Sequence, residues 1–103
     1  MTLDDVEAFL ATLEGCRARR VDGRRAWYVG GLLVARTDAP GTLLVRLGGQ
    51  DRERLVTEHP GTFGVPPAWE AHTKVQADLT GEQRAIESAL RLAWQHQRTA
   101  RST

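Results

Sequence analysis

Three turn signals crowd the first half of the chain: Asp22-Gly23, Gly30-Gly31 and Ala39-Pro40-Gly41. Asp-Gly and Gly-Gly pairs tolerate the positive φ angles of two-residue hairpin turns, and Pro-Gly favours a tight reversal. The segments around them are Cys16 to Val21, Arg24 to Val29, Leu32 to Arg36 and Thr42 to Leu47. Each is too short for a helix of ordinary length and suits a strand. Strands joined by such turns run antiparallel, because a parallel neighbour needs a crossover of about a dozen residues. The spacing therefore predicts a four-stranded antiparallel meander.

Helical and strand patterns flank it. Leu3, Val6, Phe9, Leu10 and Leu13 form one stripe at helical spacing, Thr2 and Asp5 suit a capping box, and Gly15 ends the run. Residues 50 to 59 read as a short helix with Leu55 and Val56 inward, closed by Pro60. Residues 61 to 69 hold Gly64, Pro66 and Pro67 and read as a loop packed by Phe63, Val65 and Trp69. His72 to Leu79 alternates: Val75, Ala77 and Leu79 lie on one side, Lys74, Gln76 and Asp78 on the other, as in a strand with one wet face. Thr80-Gly81-Glu82-Gln83 resembles a capping box for a last helix with Ile86, Leu90, Ala93 and Trp94 on its inner stripe.

With 103 residues, 41% hydrophobic and 26% charged, the chain has the size and composition of one globular domain. Residues 1–103 thus read as a single α+β domain. Its expected architecture is one antiparallel sheet of about five strands with helices packed on one face, in the order α-β-β-β-β-α-β-α. No run of about 18 apolar residues is present, so no membrane contact is expected. The acidic start (Asp4, Asp5, Glu7) is unlike a signal peptide, and the single cysteine, Cys16, excludes an internal disulfide. Both point to a cytoplasmic location. The oligomeric state stays open, a monomer being the simpler expectation.

Net charge is only +1, yet residues 1–14 carry −4 and residues 15–36 carry +5. Thirteen of the fourteen basic residues are arginine. That composition suits bidentate phosphate recognition, and equally the codon usage of a GC-rich genome. Catalysis finds no foothold. His59, His72 and His96 sit on different segments, without metal-ligand spacing to one another or to Cys16. Gly23, Gly30 and Gly31 spell no phosphate-binding loop. The expectation is a protein that is not an enzyme, with no catalytic residue, no metal and no cofactor.

Strand parity then places the cations. If Leu33 and Ala35 face the core, Arg36 faces out; if Leu43, Val45 and Leu47 do, so does Arg46. Lys74 lies outside on the last strand, and Arg17 and Arg19 share one side of the first. Arg24 and Arg25 stand at the Asp-Gly turn, and Tyr28 points outward, opposite Trp27 and Val29. One sheet face would then carry the cations, as the solvated side of an open antiparallel sheet or as a surface for an anion such as double-stranded DNA. The same parity leaves Leu32, Val34 and Leu44 on that face, an apolar content suited to a protein partner. The alternative is accordingly a protein-interaction or chaperone-like module using the open sheet face.

The order "TLDDVEAFLATLEG", "GRRAWYVGGLLVAR", "PGTFGVPPAWE", "VQADLTGEQ" and a closing amphipathic helix resembles the MmcQ/YjbR family over roughly residues 2 to 97. The resemblance implies a compact α+β fold and DNA binding through hairpins likened to a double wing. It matches Arg24 to the family's hairpin arginine, Trp27 to its core aromatic and Trp69 to its loop tryptophan. Leu32 stands where members often carry a basic residue, and Lys74 where many carry an aromatic one. The function these features jointly suggest is non-enzymatic binding to the phosphate backbone of DNA with little sequence specificity.

Overall fold

The computed structural model describes residues 1–67 and 70–102. Trp69, expected to pack the loop, lies outside the described residues. The elements are α1 (Leu3–Ala11), β1 (Cys16–Val21), β2 (Arg24–Val29), β3 (Leu32–Thr37), β4 (Thr42–Val45), α2 (Gly49–Glu58), β5 (Phe63–Gly64), β6 (Val75–Asp78) and α3 (Gln83–Ser102). They form one sheet in the order β1-β2-β3-β4-β6-β5, every neighbouring pair antiparallel. The turn chemistry explains the meander. Asp22, Gly23, Gly30 and Gly31 all take positive φ, between 52° and 83°, so each hairpin closes in two residues.

The protein is α+β with an antiparallel sheet, as expected, but with six strands rather than about five. The extra one, β5, is Phe63–Gly64 paired with Ala77 and Gln76. Two residues carry no alternation, so it was indistinguishable from a packed loop. β6 is also shorter than the stretch from His72 to Leu79 suggested.

The core lies between the sheet and the helices. Val6 and Leu10 of α1 and Ile86, Ala89, Leu90 and Ala93 of α3 pack with Trp27, Ala35, Leu43, Val45 and Ala77. Leu55 of α2 and Phe63 close the β5 end of the same cluster. Trp94, expected inside, is only half-buried. Its indole N–H donates to the Glu14 carbonyl at 2.8 Å, and the Arg98 guanidinium lies 5.1 Å from its ring. Phe9 is likewise half-buried, with Arg91 at 5.5 Å.

Two details depart from local reading. The β2–β3 pairing shifts register at Trp27/Tyr28, so that Trp27 faces Ala35 while Tyr28 faces Leu33. Val34 is the extra residue of a bulge, and a bulge inverts side-chain parity on one side of itself. Val34 is therefore in the core at 0% exposure, and Leu33 joins the face of Tyr28. The α1 capping box forms as expected between Thr2 and Asp5. The one expected at Thr80 does not form: α3 begins only at Gln83, three residues on, and the Thr80 hydroxyl donates to Asp78 Oδ1 at 2.7 Å. The N–H of Glu82 donates instead to Oγ1 of the buried Thr62, at 3.0 Å.

Candidate nucleic-acid interface

The β1–β2 ladder sets Arg17 opposite Tyr28, Arg19 opposite Ala26 and Val21 opposite Arg24. Cross-strand partners share a face. All six therefore lie on the side away from Trp27 and the helices. Arg17, Arg19 and Arg24 are exposed, and none makes an ion pair among the described residues. The Arg19 guanidinium lies 5.2 Å from the centre of the half-buried Tyr28 ring. β1 has a neighbour on one side only. Its arginines oppose pairing with a foreign strand, as charges on an edge commonly do.

Arg25 leaves this group. It has the opposite parity, shares a side with Arg20, and reaches Asp4 of α1 at 3.0 Å. Arg24 and Arg25, expected together at the turn, leave it on opposite sides, because adjacent strand residues point to opposite faces.

Arg36, Arg46 and Lys74 reach the outer face but are held there by the chain itself. Arg36 Nη2 donates to Glu70 Oε1, and Lys74 Nζ lies 3.5 Å from the same oxygen. Arg46 Nη1 donates to the Thr73 carbonyl at 3.3 Å. Glu70 is only 4% exposed. Two cations, Arg36 and Lys74, face this buried carboxyl. Residues 70–74 thus lie against the sheet over β3, β4 and β6. Leu44, which faces Arg36 and Gln76 on this side, is fully buried. The expected wet face is therefore halved: open over β1 and β2, covered beyond.

Glu70 is the site residue that sequence reasoning missed. It stands alone between a proline-rich loop and a strand, and no spacing ties it to Arg36, thirty-four residues earlier. Cys16 sits half-buried on the helix side of the hairpin, and burial pushes its thiol up. The reactive thiolate form is thereby disfavoured. Among the described residues, no group of three histidine, cysteine or acidic side chains is placed to hold a metal ion. No described helix is long and apolar enough to cross a membrane. The open half offers exposed guanidinium donors around one aromatic ring, a chemistry of binding anions and flat rings.

No family model, curated protein or solved structure matches the chain.

Proposed function

We propose that the protein is a non-enzymatic DNA-binding protein that grips phosphates with Arg17, Arg19 and Arg24 of the β1–β2 hairpin. The observation that carries this reading is that these three guanidiniums are exposed on one face with no carboxylate paired to them among the described residues. Arginine donates two parallel hydrogen bonds to a phosphate, and a row of them tracks a charged backbone. The reading agrees with what the resemblance to the MmcQ/YjbR family implies. No helix is presented to a groove by this face, so binding is nearly independent of sequence. The protein-docking alternative counted Leu32, Val34, Leu44 and Tyr28 on the open face; Val34 and Leu44 are buried, while Tyr28, Leu33 and Val21 remain there.

Three phosphate contacts give a slope of log affinity against log salt of roughly −3, and a loss of about 40-fold between 50 and 200 mM salt. The dissociation constant falls in the non-specific range, about 10⁻⁴ to 10⁻⁶ M. Titration of a labelled duplex of about 20 base pairs across that salt range tests it. Absence of binding at about 100 μM protein in low salt overturns the reading.

A further inference from the structure

A depression of about 470 Å³ lies at the turn end of the hairpin, lined by Val21, Asp22, Arg24, Ala26, Tyr28 and Arg36 of the open face, with Arg25 at its edge. Its chemistry is not that of a phosphate site alone. Val21 is 45% exposed, one of only two large hydrophobic residues so open among the described residues. Beside it stand the methyl of Ala26 and the ring of Tyr28. Asp22 sets a carboxylate at the rim, where it would repel a phosphate. A phosphate has no apolar surface to cover Val21 and Tyr28, and no donor for Asp22.

An unpaired nucleobase has both. Its flat face stacks on tyrosine, and its exocyclic amine, in cytosine, adenine or guanine, donates to a carboxylate. The Arg19 guanidinium covers the Tyr28 ring at 5.2 Å in the free protein, and a base stacking there takes its place. Arg24 at one side and Arg17 across from Tyr28 stand where the phosphates flanking such a base would run. Alternate outward positions of adjacent strands form a flat platform, the kind of surface on which single strands lay their bases.

We propose that this depression takes an unpaired base of single-stranded DNA, stacked on Tyr28, with the neighbouring phosphates on Arg17 and Arg24. The proposal rests on the DNA-binding reading above and names its substrate: a strand with unstacked bases rather than a closed duplex. Base–aromatic stacking strengthens single-strand binding by about 5- to 150-fold and leaves duplex binding unaffected.

The test is a pair of anisotropy titrations at one low salt concentration. One uses a labelled single strand of mixed sequence, about 12 nucleotides long. The other uses a labelled duplex of about 20 base pairs. The parent protein, Tyr28→Phe, Tyr28→Leu and Tyr28→Ala are compared, each checked for a native thermal transition. The parent is expected to favour the single strand, Tyr28→Phe to retain that preference, and Tyr28→Leu and Tyr28→Ala to lose about 10-fold on the single strand alone. The leucine variant keeps apolar bulk, so it remains informative if the alanine variant is unstable. Equal binding of the two probes by the parent overturns the base-stacking proposal and leaves the phosphate reading standing. So does a leucine variant that binds the single strand as well as the parent. Binding to neither probe overturns both.

Discussion

Arg24 lies on the open face opposite Val21, whereas Arg25 turns toward α1 and meets Asp4 at 3.0 Å. Neighbours in sequence, they make different predictions. Arg24→Ala should flatten the salt slope of duplex binding by about one, because one fewer counterion is released. Arg25→Ala should leave the slope unchanged. Neither should alter the melting temperature much, since exposed arginines and surface ion pairs contribute little. Parallel titrations of the two variants check this; equal losses would mean that Arg25 swings to the ligand. The tryptophans separate in the same way. Trp27 is 1% exposed, and its indole N–H has no hydrogen-bond partner among the described residues. Its burial is worth its packing alone, and Trp27→Ala should cost about 3–5 kcal/mol in denaturant unfolding. Trp94, half-buried, should cost less than Trp27 on the same truncation, even with its bond to the Glu14 carbonyl.

The segment from Glu70 to Thr73 behaves as a strap tied to the sheet by charge. Glu70 holds Arg36 and Lys74, and the Thr73 carbonyl holds Arg46. Glu70→Gln removes the buried anion and leaves two cations uncompensated. Breaking such a network from one side costs about 3 kcal/mol. The same change frees Arg36 and Lys74 for an external phosphate. Glu70→Gln should therefore be less stable in urea yet bind duplex DNA more tightly, with a salt slope steepened toward roughly −4 to −5. A variant that loses stability with no gain in slope would show that the strap stays closed. At the entry to α3, the buried Thr62 caps the helix from outside it. This tertiary cap is one reason the helix start did not follow from residues 80 to 83.

Global stability should carry an acid signature from two exposed carboxyls. The backbone and hydroxyl of Thr2 hold Asp5 below the ordinary carboxylate value, and the hydroxyl and backbone N–H of Thr80 do the same for Asp78. A carboxyl lowered in the folded state stabilises the fold fully above its unfolded pKa of about 4, and that contribution fades as pH falls through the lowered value. The double variant Asp5→Asn/Asp78→Asn should thus show a shallower fall of melting temperature between about pH 5 and pH 2. Its acid limb would match the parent's if those bonds persist in the unfolded chain. Much of the molecule was legible from local chemistry. Positive-φ turn residues dictate the hairpins, helical spacing dictates α1 and α3, Thr2 and Asp5 dictate the first cap, and alternation sets Arg17 and Arg19 on one side of β1 and Tyr28 outward on β2. These features depend on residues within a few positions of one another. What required the folded chain are the bulge at Val34, the two-residue β5, the Thr62 cap and the closure of half the sheet by Glu70. Each is set by a partner distant in sequence, and no period or spacing along the chain encodes such a meeting. Charge pattern alone could therefore count the arginines, but only the packing of residues 70–74 separates those held inside the fold from those left exposed on the open face.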